Sequence, residues 1–374
     1  MGRTNKTIGA WTALLLLLPC LSAFADVTLL KTDSNTFSFY GFLKTDATYQ
    51  DFKTNSLVAP RYPLADTEAN DDDSLNLTAM HSRFGFKWSG PALESGTQIK
   101  GTFEWDLFDT ESRNQMKFRT RLAYLELKGE KYSLIAGQHW DLFGAGLPKT
   151  LITNGFYWQT GNTGFRRAQI RYTRFFESGE LAFSMGDPGT NEAIYNAMPL
   201  LTGRYAFKFG EKKGGVLGIA ATYGEEKFGN DSVEISGIGL DFKLPFGSQF
   251  SLMGEVAQGT NLRTYLSRSG TFTKASGKRE GQEAMDGWLQ MVYSAEKVEF
   301  YLGYAATFFS DDDEVAAGAL GDSDAAFIGL THKLGKGVSY GVEFTRFAGD
   351  YKGAEGGFDG STANQLLFSI LYAF

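Results

Sequence analysis

From Phe37 to Phe374 apolar residues recur at every second position, segment after segment, and not at the spacing of a helix. A chain patterned this way forms strands with one chemistry on one face and another on the opposite face. The third segment makes the division plain. Ile99, Phe103 and Trp105 point one way, while Gln98, Lys100, Thr102, Glu104 and Asp106 point the other. In a membrane wall the charged row cannot meet lipid, because Arg or Lys at mid-depth costs about 2–4 kcal/mol. The polar row therefore lines a lumen.

Turn signals divide the chain into sixteen such segments, the first Phe37–Phe52, the second Leu77–Trp88 and the last Ala363–Phe374. Their connections alternate. Gly129-Glu130, Ala295-Glu296 and Gly335-Lys336-Gly337 are short. Trp140 to Phe165, Gly259 to Ala284, Ser310 to Asp324 and Ala348 to Thr362 are long. A β-sandwich or a propeller would not segregate loop length to one end so regularly. A barrel inserted from the periplasm does, with short periplasmic turns and long external loops. The expected fold is all-β: a transmembrane antiparallel β-barrel of about 16 strands, multi-pass in a Gram-negative outer membrane. The mean hydropathy of −0.22 is too polar for a helical membrane protein and suits a wall wetted on one side.

The first residues carry an address. Arg3 and Lys6 precede an apolar stretch centred on Leu14 to Leu18, and Ala23-Phe24-Ala25 is a small-x-small cleavage pattern. Residues 1–25 read as a cleaved signal peptide, 26–36 as a short periplasmic segment and 37–374 as the barrel domain. Cys20 is the single cysteine and leaves with the peptide, so no disulfide framework or thiolate metal site is expected. Pro19 before it argues against a lipoprotein. The net charge of −7 excludes a basic footprint for nucleic acid.

The last segment places Leu366, Phe368, Ile370, Tyr372 and Phe374 on one face. Tyr372 and Phe374 resemble the terminal signal that outer-membrane barrels show to their insertion machinery. Phe39, Phe84, Trp88, Trp105, Tyr205, Phe209 and Tyr293 join them as candidates for aromatic girdles at the headgroup levels, where the barrel would meet membrane lipids and lipopolysaccharide.

Two arginine rows stand out inside. Arg119 and Arg121 share a face of the fourth segment; Arg167, Gln169 and Arg171 share a face of the sixth; Arg83 and Lys100 face the lumen on the second and third. Between the two rows lies the third external connection, rich in glycine and aromatics (Phe143, Phe156, Tyr157, Trp158). A loop so apolar is expected to fold into the barrel and narrow it opposite the arginines. A cationic ladder there attracts anions and pairs planar carboxylates. The competing reading is that the arginines neutralise Glu104 and Asp106 and keep the wall hydrated.

FYGFLKTDATY at Phe39 to Tyr49, SRFGFKWSGP at Ser82 to Pro91, FRTRLAYLEL at Phe118 to Leu127, LIAGQHWDLF at Leu134 to Phe143 and RRAQIRYTRF at Arg166 to Phe175 resemble consecutive blocks of the DcaP-like trimeric porins. The blocks cover about the first third of the barrel, in order. The resemblance implies a sixteen-stranded homotrimer and a water-filled diffusion channel. Its arginine-lined constriction would pass small anions such as dicarboxylates, with Arg119, Arg121, Arg167 and Arg171 as pore residues by matching position. The chain departs from several members in lacking a long N-terminal coiled-coil segment before the first strand.

Catalysis has little to stand on. His81, His139 and His332 fall on separate strands, and no phosphate loop, dinucleotide fingerprint or zinc spacing occurs. No enzyme activity, cofactor or metal is expected. The acidic runs Asp71–Asp73 and Asp311–Glu314 lack the spacing of a calcium loop and read as solvated loop tips, with divalent cations shared with lipopolysaccharide as the alternative. Two other readings stay open: a phosphate-selective type of porin, which would need a lysine cluster at its neck, and a non-conducting structural or adhesive barrel.

Overall fold

The structure, a computed structural model, describes residues 26–109, 116–188, 198–210, 214–228, 231–274 and 276–374. The expected signal peptide, residues 1–25, lies outside the described residues. The strands are β1 (Val27–Lys31), β2 (Thr36–Gln50), β3 (Ser74–Thr78), β4 (Arg83–Ala92), β5 (Gln98–Asp106), β6 (Arg119–Lys128), β7 (Tyr132–Trp140) and β8 (Arg166–Phe176). There follow β9 (Gly179–Gly186), β10 (Leu200–Phe209), β11 (Gly215–Phe228), β12 (Asp231–Phe246), β13 (Phe250–Thr260), β14 (Thr271–Thr273) and β15 (Arg279–Gly281). The last are β16 (Glu283–Ser294), β17 (Val298–Phe309), β18 (Leu320–Gly335), β19 (Val338–Lys352) and β20 (Phe358–Ala373).

Each wall strand pairs antiparallel with the next, and β20 pairs back onto β2 from Phe42↔Ala373 to Gln50↔Gln365. Both β3 and β4 pair with β2 and make one interrupted stave, so the closed wall has 16 staves. Closure matters because an open strand edge in hydrocarbon would leave backbone groups unpaired at several kcal/mol each. Gly41 and Phe374 exchange two backbone hydrogen bonds of 3.1 Å at the seam. Below the end of β20, β1 occupies the same edge of β2, from Val27↔Phe39 to Lys31↔Thr36.

Faces alternate as the period-two pattern requires. On β20 the outward Leu366, Phe368, Ile370 and Tyr372 are 45–49% exposed, while the inward Ala363, Gln365, Leu367 and Ser369 are buried. At the seam Phe374 stacks on Phe39 (5.3 Å) and lies 6.4 Å from Phe84, tying the last strand to the outer face of the first two staves.

Three local departures from the sequence reading have physical causes. The second segment, expected as one strand over Leu77–Trp88, breaks between Thr78 and Arg83. Ser82 N–H turns back to the Ala79 carbonyl (3.0 Å), and His81 Nδ1 reaches Asp46 Oδ2 (2.6 Å). The fourth contains a β-bulge, since Glu104 pairs with Leu122 but Trp105 pairs with Thr120. Uninterrupted alternation would put Arg119 and Arg121 on the face of Leu125, which is outward and exposed. The extra residue at Arg121 reverses the phase, so both arginines and Glu126 face inward. Finally, β18, β19 and β20 run beyond the ends read from alternation, shortening the connections 310–319 and 353–357. Their extensions carry Asp322, Asp324, Asp350 and Thr362 outward, so hydrophobic alternation stops while backbone pairing continues.

Candidate functional site

The cationic part of the inner wall comes from β4, β5, β6 and β8. Asp106 on β5 accepts a two-pronged pair from Arg119 (Nε 2.9 Å, Nη2 2.6 Å) and a third bond from Arg121 Nη1 (2.9 Å). Glu104 accepts from Arg121 Nε at 2.8 Å and lies 3.7 Å from Arg83 Nε. The opposed pairing of β4, β5 and β6 brings these groups level, with Arg83↔Asp106 and Asp106↔Arg119 directly across. Arg166, at the start of β8, rests against the rings of Trp140 (5.0 Å) and Phe165 (4.6 Å) and makes no ion pair among the described residues. Four guanidiniums thus gather around two carboxylates.

The remaining sites expected on this wall are placed differently. Arg167 is tied down: Nε bonds Asp141 Oδ1 (2.5 Å), Nη2 bonds Asp141 Oδ2 (2.8 Å), and Nη1 reaches the Asp187 carbonyl (2.9 Å). Gln169 donates to the His139 carbonyl (2.9 Å) and accepts from Arg171 Nε (3.1 Å), while Arg171 also donates to the Trp140 carbonyl. Lys100 sits toward the short-turn end, half-buried and across from Glu126.

Residues 141–165 leave β7, cross the lumen and return to β8, and their partners are inward side chains of the opposite wall. Gly146 N–H donates to Glu255 Oε2 on β13 (2.8 Å) and Lys149 N–H to Gln290 Oε1 on β16 (2.8 Å). Glu343 on β19 accepts from Leu151 N–H (2.8 Å), Thr150 Oγ1 (2.9 Å) and Tyr157 (3.4 Å), as well as Tyr301 (2.6 Å). The four aromatics singled out in the sequence are all buried. Tyr157 stacks on Phe327 of β18 at 4.2 Å, a geometry that contributes about 0.5–1.5 kcal/mol beyond burial. Burial and the Glu343 carboxylate raise the Tyr157 hydroxyl well above its ordinary pKa. Phe156 meets Trp158 edge-on at 5.2 Å, and Phe143 packs on Tyr265 at 4.8 Å.

Glycine lets this segment lie so close to the wall. Gly161 has φ +91°, and a Cβ there would fall 2.2 Å from the Gly287 carbonyl and 2.4 Å from Ala306 N. At its tip the segment touches the cationic wall as well, because Asn154 Oδ1 accepts from Arg119 (2.9 Å) and Arg121 (2.7 Å).

The chain matches the Gram-negative porin family over residues 10–352. It is a Gram-negative porin. Among solved structures it is similar to the outer membrane channel DcaP of Acinetobacter baumannii, at 18% identity and a TM-score of 0.80, covering 93% of this chain and 100% of that one. An anion-selective porin from Comamonas acidovorans follows at 15% identity and 0.66, covering 91% and 100%. The trimer form of OmpT from Vibrio cholerae matches at 14% and 0.59, again covering 91% and 100%. No curated protein matches. Family and fold agree on a multi-pass channel of the outer membrane.

This porin has a second segment turned inward that the sequence reading passed over. After β13, Leu262–Tyr265 forms a short 3-10 helix whose Leu262 and Tyr265 are fully buried. The Tyr265 hydroxyl meets Thr202 (3.0 Å) and Thr222 (2.6 Å), and its carbonyl accepts from Gly164 N–H (2.7 Å). Burial pushes the Tyr265 hydroxyl up to about 12. The available signal was the apolar pair Leu262 and Tyr265 inside an otherwise polar connection. Arg166 was also passed over, because at a strand end parity carries no information. Among the described residues no cluster of His, Cys, Asp and Glu is disposed to hold a metal. In the acidic run, Asp311 instead caps the Asp313 N–H at 2.9 Å.

Proposed function

We propose that this porin passes small anions, with carboxylates such as dicarboxylates as the preferred class. The observation that carries the reading is the excess of guanidiniums over carboxylates where residues 141–165 cross the lumen: Arg83, Arg119, Arg121 and Arg166 around Glu104 and Asp106. On the opposite wall the main carboxylates, Glu255 and Glu343, are already engaged by donors of the crossing segment. A permeating ion therefore meets a positive field in a gap where water screens weakly. Arg119, Arg121 and Arg171 with Arg83 line this face, Arg167 and Gln169 hold it in place, and Lys100 extends it toward the periplasm. Phe143, Phe156, Tyr157 and Trp158 shape the constriction. The anion-selective neighbour supports the sign.

In this reading the chain does no chemistry and needs no cofactor. It assembles as a homotrimer, as the trimeric neighbour suggests. Residues 1–25 are removed on export, and Tyr372 and Phe374 present the insertion signal. Lipid and lipopolysaccharide surround the outward apolar rows. The deciding measurement is the reversal potential of single channels in a potassium chloride gradient; a cation-preferring wild type refutes the proposal. A second reading, a non-conducting barrel, draws on the coverage of the lumen by two inward segments, and absence of single-channel steps would select it. Unheated gels should show a heat-labile trimer.

A further inference from the structure

On the outer face, toward the end of the barrel that carries the long connections, a notch interrupts the apolar rows. Its floor is Gly287 on β16 and Ala306 on β17, which pair directly across from one another. Met285, Leu289, Tyr304 and Phe308 stand around it, and it encloses about 240 Å³. These four side chains are 42–49% exposed, whereas Ala306, outward between Tyr304 and Phe308, is 4% exposed. The floor is therefore recessed below a rim of longer side chains. On the inner side the Gly287 carbonyl and Ala306 N face Gly161, so one layer of backbone separates the notch from the crossing segment. Along the row of the floor, Ala306 pairs with Asp324 on β18, which is half-buried beside Tyr304. Arg346 on β19 is outward and exposed near Asp324.

A porin wall turns this face to lipid, so the notch is continuous with the hydrocarbon-facing surface. Water does not fill a recess there, and an unfilled one forfeits the dispersion contacts of its walls. Lipid tails are as apolar as leucine, so fit selects the occupant, not escape from water. The notch holds about eight times the roughly 30 Å³ that one water occupies in the liquid, room for a run of methylenes. A glycine and alanine floor below a tall rim suits a flexible, unbranched chain. A second copy of the barrel would instead bring rows of branched and aromatic side chains, which meet Tyr304 and Phe308 before the floor. An amphiphile with its chain in the notch has its headgroup beside Asp324 and Arg346. Arg346 pairs with a phosphate there, and Asp324 accepts from a sugar hydroxyl or amide. We propose that the notch seats one acyl chain of an outer-leaflet lipopolysaccharide molecule, whose phosphate meets Arg346. The seated chain backs the stretch of wall on which Gly161 rests.

The inference rests on the outward placement of the long connections and is independent of which ion the channel prefers. Purified porin, stripped of lipid in detergent, is titrated with diphosphorylated lipid A, and the bound lipid is counted by native mass spectrometry. Wild type should retain one more lipid A per chain than Ala306→Leu, which fills the notch from its floor. Ala221→Leu puts the same side chain on an outward position of β11, away from the notch, and should match wild type. Arg346→Gln should weaken retention about threefold. Unchanged retention in Arg346→Gln, or phosphatidylethanolamine held as well as lipid A, overturns the assignment to lipopolysaccharide. A second measurement uses wild type alone, in case Ala306→Leu does not insert. Lipid A with a photoactivatable diazirine in its acyl chain should label Met285, Leu289 and Phe308 ahead of the outward residues of β11. Even labelling of the outward rows, or equal lipid counts in wild type and Ala306→Leu, overturns the seat. An oligomer lost in Ala306→Leu with the lipid count unchanged puts a second copy in the notch and overturns it as well.

Discussion

On the inner wall made by β4 to β8, arginines outnumber the carboxylates beside them, and several N–H groups have no protein acceptor among the described residues. On the wall made by β13 to β19, carboxylates and hydroxyls face inward, and the segment 141–165 has taken most of them as hydrogen-bond partners. Both walls are built by the same alternation on antiparallel strands. The difference lies in what the crossing segment covers. It springs from the arginine wall, lays its backbone and hydroxyl donors on the acidic wall, and meets the arginines through acceptors, Asp141 on Arg167, the Thr153 carbonyl on Arg83 and Asn154 on Arg119 and Arg121. One wall becomes an anchor, and the other is the filter in the function proposed here.

The comparison can be broken most directly at the filter. Replacing Arg119 and Arg121 together by Ala should reverse ion preference, because Glu104 and Asp106 would then stand without their closest partners. The reversal potential in a salt gradient reads this, with Arg174→Ala as the control. Arg174 is outward and exposed beside Ile170 and Tyr172, and its loss should shift the potential little. Removing one partner of a buried pair also costs about 3–5 kcal/mol, so folding should be checked by the heat-labile gel band. Unchanged selectivity in the double mutant would show that these arginines serve only the wall.

The anchor should answer differently. Glu343→Leu removes the acceptor shared by Leu151, Thr150, Tyr157 and Tyr301, and would strand donors worth about 1–3 kcal/mol each. The expected result is larger, noisier conductance with anion preference retained but weakened. A quiet channel of native conductance would mean that Glu343 does not hold the segment.

Gly161→Ala sharpens the same point with a smaller change. Its Cβ would meet the β16 and β17 backbones, and its φ of +91° is unfavourable for alanine. A loss of about 1–3 kcal/mol in thermal unfolding is expected, with the segment shifted off the wall. Native melting temperature and conductance together would contradict the close contact.

The smallest effect concerns exposed loops. Trypsin added to intact cells should cut at Lys274 or Lys278, on the exposed β14–β15 hairpin, and leave Arg263 and Arg268 intact. Burial holds Arg268 down to about 10, with its guanidinium against Phe309 at 5.3 Å. Cutting at Lys131 or Lys336 from outside would invert the membrane orientation.

Much of this was legible beforehand. Sixteen staves, their faces and their closure follow from period-two alternation, because in a wall between lipid and water each side chain answers to its own face alone. The aromatic character of residues 141–165 likewise marked that connection as one that would not stay in solvent. The extended ends of β18 to β20 were not legible, since strands that rise past the apolar belt keep their backbone pairing without the pattern that announces it.

By itself, then, the sequence determined the barrel, the apolar and polar faces of its regular strands, and the two rows of arginines along them. Tertiary structure decided which arginines are spent and which remain. A bulge at Arg121 turned the fourth strand inward, Asp141 and Thr264 claimed Arg167, and Arg166 was left between two rings. Pairing of charges depends on register across strands and on a loop that docks far from where it begins. Local alternation holds no record of either.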